Sequence, residues 1–181
     1  MCIRDSVHII DDLSTGNKSL IPKNAFFTKC NINDEEVISE LIKSNNFDLL
    51  MHFAGFIQVE ESVKYPQKYF DNNTENATKL FETCKNNGLN KIVFSSTAAA
   101  YGWVSENKLI DENTNLNPQN PYAESKIKTE NFLFENKDDY KFIILRYFNV
   151  AGADKKLRSG QISKRSTPVS YTHLTLPTSS W

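Results

Sequence analysis

Long hydrophobic runs, paired cysteines and charge of one sign are all missing from this chain of 181 residues. No apolar stretch approaches the roughly 18 residues needed to span a bilayer, so no membrane partner is expected. The formal net charge is −1 and no Lys/Arg block occurs, which leaves no electrostatic case for nucleic acid or an anionic surface. Cys2, Cys30 and Cys84 are scattered, without a C-x-x-C pair. That usage indicates a reducing compartment and small buried side chains, and excludes a disulfide framework or a zinc site. With no secretory leader pattern, the expected location is cytoplasmic. His8, His52 and His173 are not grouped, so no metal site is read. His52, inside an apolar run, is expected to be a satisfied core histidine.

What is present suits one soluble domain. Hydrophobic residues make up 39% and charged residues 24%, enough to bury a core. The ends differ from the middle. MCIRDS meets VHIIDD abruptly, and PVSYTHLTLPTSSW carries neither helical nor strand period, so both resemble translated adapter sequence. Residues 1–6 are therefore expected to be a non-native leader, 7–156 the folded domain, and 157–181 an unstructured or artefactual tail.

Strand and helix patterns alternate in the middle. VHII (7–10), AFFTKC (25–30), DLLMHFAG (48–55), KIVFSS (91–96) and KFIILRYF (141–148) read as strands, the third as one buried on both faces. Helices are expected from Asn33 or Asp34 to about Ser44, from Pro66 to about 87, and from Pro121 to about Glu135 behind an Asn120 cap. In the second of these, Phe70, Asn73, Ala77, Leu80, Phe81 and Cys84 line one face, and Gly88 stops the helix. Apolar strands separated by helices imply right-handed crossovers and an α/β, Rossmann-like parallel sheet with helices on both faces.

Ligands of such sheets sit at the carboxyl ends of the strands. Those ends carry Asp11, Ala54-Gly55, Ser95-Ser96-Thr97 and Phe148-Asn149. Asp11 can accept hydrogen bonds from both hydroxyls of an adenine ribose and would repel a 2′-phosphate, which favours NAD over NADP. Ala54 and Gly55 lack bulk, so a cofactor can lie close to the backbone. NPYAESK (120–126) sets Tyr122 and Lys126 one helical turn apart, on one face. A phenol of pKa near 10 is a poor base at neutral pH, but a neighbouring ammonium favours phenolate, and a phenolate can take a proton from an alcohol. Tyr-x-x-x-Lys alone is a weak signal, since a chain of this composition contains one by chance about half the time. Thr97, at the end of the clearest strand, supplies the hydroxyl that would face it.

VHIIDDLSTG, LLMHFAG, YFDNN, IVFSSTAAAYG, NPYAESK and LRYFNVAGAD, in this order, resemble the extended short-chain dehydrogenase/reductases, and within them the UDP-glucose 4-epimerase family. The likeness covers roughly residues 7–156. It implies Tyr122 as catalytic base, Lys126 as its pKa tuner and nicotinamide-ribose ligand, and Thr97 as the group orienting the sugar 4-hydroxyl. It also implies NAD contacts from Asp11, Asp12, Leu13, Phe53, Ala54, Gly55, Asn72, Ser95 and Phe148, and a contact to a UDP-sugar substrate from Asn149. A homodimer is implied for the full-length protein. The glycine-rich turn that opens the family does not precede VHII, and its second, sugar-gripping domain does not follow. This stretch is thus expected to be incomplete at its first strand, to bind NAD poorly and to turn over little. Ile57 stands where some relatives carry a lysine near the cofactor. Two rivals remain open: an NAD-dependent epimerase of UDP-glucuronate or an N-acetylhexosamine, and a non-catalytic dinucleotide sensor. A 4,6-dehydratase is disfavoured, because Ala98 and Ala99 follow Thr97 where that chemistry needs an acid and a base.

Overall fold

Short β-branched runs flanked by capped helices fold as their periods require. A computed structural model describes residues 6–104 and 109–150. The chain divides into two units, Met1–Arg146 and Tyr147–Trp181, and only residues 147–150 of the second are described. The expected leader and tail fall almost wholly outside the described residues.

Two parallel sheets form in the first unit. Strand β1 (His8–Ile10) pairs with β2 (Phe26–Thr28), His8 opposite Phe26. Strands β3 (Leu50–His52), β4 (Lys91–Thr97) and β5 (Lys141–Tyr147) lie in that order, with Leu50 opposite Ile92. The expected sheet is therefore found in two pieces, and no described strand pairs with both β1 and β3.

Helix α1 (Glu35–Ser44) begins at Asp34, whose carboxylate accepts from the Val37 amide at 3.3 Å. Two short helices, α2 (Val59–Lys64) and α3 (Pro66–Phe70), lead through a wide π-type turn (Asp71–Glu75) into α4 (Asn76–Asn86). Helix α5 (Pro121–Glu135) starts at Asn120 and Pro121, as its sequence signals require. Ile38, Leu80, Phe81, Ile92, Phe94 and Leu133 form the centre of the core, each contributing about 1.5–3 kcal/mol by burial.

Three expectations change. The helix read from 66 to 87 is interrupted by the π-type turn, and Tyr69 rather than Phe70 is buried ahead of Asn73. The cause is local: Asn73 spends its side chain on the backbone of Phe56 and its carbonyl on Thr129, and the helix widens around those bonds. Burial of β3 on both faces holds for one face only. Leu50, Phe94 and Ile144 meet the helices, whereas Met51 (48% exposed), Phe53 (57%) and Ile143 (60%) alternate onto an open face. His52, finally, is buried but not satisfied. Neither ring nitrogen has a hydrogen-bond partner, and the ring packs against Phe81 and Phe94 at centroid distances of 5.3 and 5.6 Å.

Burial, reinforced by the charge of Lys126, pushes the His52 imidazole down to about 3. A histidine held neutral in the fold binds fewer protons there than in the unfolded chain, so stability falls as pH drops through 6.5 and levels off near 3. Urea titrations across that window should lose about 1.4 kcal/mol per pH unit from this group. His52→Phe should remove most of that slope. An unchanged slope in the variant would show that His52 is already charged or solvated in the fold.

Candidate active site

The strand ends bring two clusters of functional groups together. The first gathers around β1 and β2. Asp11 Oδ1 accepts from the Leu13 amide at 2.6 Å, and Asp12 Oδ1 from the Ser14 amide at 2.8 Å. This tight winding holds Leu13 at φ 61°, left-handed backbone that is strained for a branched side chain. A Cβ on Gly16 would come within 2.6 Å of Asp11 Oδ1, so any side chain there would displace that carboxylate. Hydrogen bonds from Ser14, first from its hydroxyl, hold the Asp12 carboxyl below its ordinary range, with a smaller contribution from Asn31.

Asp11, Asp12, Phe53, Ala54, Gly55 and Asn72 line one groove of about 150 Å³. Leu13 and Ser95 do not line it. Cys30, Asn31 and Ile32 do, and the sequence reading passed over them. Asn31 donates to Asp12 Oδ2 at 3.0 Å and so fixes the carboxylate from the far wall. The strand-end rule applied to β2 as well would have found it.

The second cluster forms where α5 meets β4. Asn120 Oδ1 accepts from the Ala123 amide at 2.9 Å, and this cap fixes the first turn, which carries Tyr122. Thr97 closes β4, is buried, and accepts from the Ala99 amide at 3.2 Å. Burial raises the Tyr122 phenol above its ordinary pKa, offset in part by a hydrogen bond with the Thr97 side chain. The activation expected from Lys126 is not among the effects on this phenol in the chain alone; burial dominates.

Lys126 is 3% exposed. Its ammonium lies 5.0 Å from the centre of the Phe94 ring. Burial alone brings it down to about 8. A Cβ on Gly55 would crowd Lys126 Nζ at 3.2 Å and Asn73 Oδ1 at 3.0 Å, and the φ of 152° is backbone that side chains rarely adopt, so glycine is favoured there. Asn73 holds that backbone in place. Its amide accepts from Phe56 N at 2.8 Å, donates to Phe56 O at 2.9 Å, and donates to Ser125 Oγ at 3.2 Å. Gly55 thus belongs to the groove and also borders the ammonium. A bare rim beside an ammonium fits a ligand rich in hydroxyl or phosphate oxygens, as a dinucleotide is.

Phe148 and Asn149 fall in the second unit, at its described head, and both are exposed there. Among the described residues no group of three or more His, Cys, Asp or Glu could hold a metal, and no helix is long and apolar enough to cross a membrane.

Residues 4–170 match the model of the NAD dependent epimerase/dehydratase family. The UDP-glucose 4-epimerase of Azospirillum brasilense is 43% identical over 167 residues, covering 91% of this chain and 46% of that protein. A crystal structure of a UDP-glucose 4-epimerase superposes with TM-score 0.83 at 35% identity, over 87% of this chain and 48% of that one. The Bifidobacterium longum UDP-glucose 4-epimerase, solved in complex with NAD+ and UDP, gives 0.80 at 29% identity, over 88% and 51%. The chain spans about half the length of these relatives.

A lysine whose folded pKa lies below 10.5 binds fewer protons in the fold, so it lowers stability as pH falls from 10.5 towards 8, and by a constant amount below that. Lys126→Met should therefore stabilise the chain near neutral pH, by up to about 3 kcal/mol. Chemical denaturation at pH 7 measures this, and destabilisation would contradict the burial of the ammonium.

Proposed function

The chain belongs to the NAD dependent epimerase/dehydratase family, and from that premise we propose that its residues serve a C4 epimerase of UDP-hexoses, UDP-glucose and UDP-galactose, acting with NAD. One observation carries the reading: Tyr122 opens the helix that packs on the end of β4, where Thr97 is buried, and the next turn of that helix buries the Lys126 ammonium beside the groove rim. NAD, when bound, supplies the reversible hydride acceptor that lets C4 invert.

The remaining work is done by side chains. Tyr122 removes the proton of the sugar 4-hydroxyl and later returns it. Thr97 holds that oxygen in line with the phenol. Bringing a phenol from 10 to neutral pH takes about 4 kcal/mol. A unit charge at about 4 Å in a surrounding of effective dielectric near 20 supplies an amount of that order. Lys126 supplies that charge only once cofactor and substrate occupy the site, since in the chain alone it has no part in the shift of the phenol, and it also binds the nicotinamide ribose. At a pKa of about 8 it is still mostly protonated at pH 7.

Asp11 and Asp12, with Leu13, take the adenosine half. Phe53, Ala54 and Gly55 flank the middle of the dinucleotide, and Asn72, Ser95 and Phe148 add contacts. Asn149 touches the UDP-sugar. A homodimer and a cytoplasmic setting go with the same reading.

A chimera tests it. Residues 7–146 replace the corresponding segment of the Azospirillum brasilense enzyme, and conversion of UDP-galactose to UDP-glucose is followed. Tyr122→Phe in the chimera should lower turnover about 100- to 10,000-fold, as loss of a general base does, with NAD still bound. Near-normal turnover would remove Tyr122 from proton transfer.

A further inference from the structure

Helix α5 buries an unusual face. Of its six buried residues, Ala123, Ser125, Lys126, Thr129, Glu130 and Leu133, only the alanine and the leucine are apolar. Leu133 and the half-buried Phe132 supply its apolar contact with the core, and such contact resists sliding or rotation only weakly, because hydrophobic contact is non-directional. Fixed polar partners are what can set the position of such a helix.

Glu130 has them. It is 1% exposed, and its carboxylate takes four hydrogen bonds. Arg146 Nε donates to Oε1 at 3.1 Å and to Oε2 at 3.2 Å, Arg146 Nη2 donates to Oε2 at 2.6 Å, and the Ser96 hydroxyl donates to Oε1. Arg146 then continues the chain: Nη1 donates to Tyr101 Oη at 3.0 Å, and the guanidinium lies 5.1 Å from the centre of that ring.

The placement of these anchors is the point. Ser96 directly precedes Thr97 on β4, and Tyr101 ends the 3-10 turn (Ala98–Tyr101) that Thr97 caps. The carboxylate and its arginine thus grip the chain on both sides of Thr97. On α5, Glu130 follows Tyr122 by eight residues, with Lys126 midway, so all three share one stripe of the helix. We propose that Glu130, Arg146 and Ser96 are positioning residues, which lock α5 against β4 at the one register in which the Tyr122 phenol reaches Thr97. A buried ion pair suits this role. Against apolar groups of equal volume it gives little net stability, whereas its directional bonds specify geometry.

The inference deepens the reading of Tyr122 and Thr97 given above. Its test reads their contact and not turnover, so it can fail while the epimerase reading stands, and the reverse. The 181-residue chain is labelled with 3-fluorotyrosine, the Tyr122 fluorine resonance is assigned by Tyr122→Phe, and its titration is followed by 19F NMR. In the native background Thr97→Val should raise the Tyr122 midpoint by about one pH unit, the effect of losing a hydrogen bond to a charged group. In a Glu130→Leu/Arg146→Met background, which replaces the pair by apolar groups, the same Thr97→Val change should move the midpoint by less than about a third of a unit. A full one-unit increment in that folded double variant overturns the proposal, since it would mean the pair contributes stability alone. Should the double variant not fold, the same cycle is run on Ser96→Ala, which removes one bond to Glu130. There a reduced increment supports the proposal and an undiminished one overturns it.

Discussion

A buried ammonium dictates much of this structure. Lys126 sits on the face of Phe94, beside the bare backbone of Gly55, and its pKa falls because water has been removed from it. Its neighbours are arranged around that constraint. Gly55 disfavours a side chain, Asn73 must hold the Gly55–Phe56 backbone still, and His52 must remain neutral beneath it. Each is poor for stability taken alone, and together they leave a cationic spot open to a ligand. That is how a fold spends stability on a site.

The same helix carries the site's polar framework. Buried hydroxyls and amides between α5 and the π-type turn are closed in pairs: Thr129 donates to the Asn73 carbonyl at 2.9 Å, and Thr74 to the Ser125 carbonyl at 2.8 Å. The Asn73 carbonyl belongs to the widened turn and the Ser125 carbonyl to α5, so each element closes a bond on the backbone of the other. The groove around Asp11 is built differently. There, short-range turns at Leu13 and Ser14 aim the carboxylates, and Asn31 fixes one of them from the neighbouring strand.

Element boundaries were legible in the sequence wherever a local chemical signal marks them. Asp34 and Asn120 cap helices at the residues their side chains suggest, and Pro121 sits in a first turn. The strand-end rule placed Asp11, Gly55 and Thr97 at or just past the ends of their strands, because it needs only the location of each strand's last residue. What was not legible depends on partners distant in the chain. Asn73 looked like one more position on a helical face, and only the loop at Phe56 makes it a clamp. Glu130 and Arg146 carry no local signal, and only the meeting of α5 and β5 pairs them. The open face of β3 was invisible for a related reason, since an apolar run does not record which of its sides a helix will cover.

The state of Lys126 is therefore the place to test the account. Titrating the chain with 15N-labelled lysine and following the Lys126 Nζ resonance, assigned with Lys126→Met, reads it directly. A midpoint near 8 is expected. A midpoint at the ordinary value of 10.5 would mean that the ammonium is solvated, that α5 does not bury it against Gly55, and that the site described above does not form.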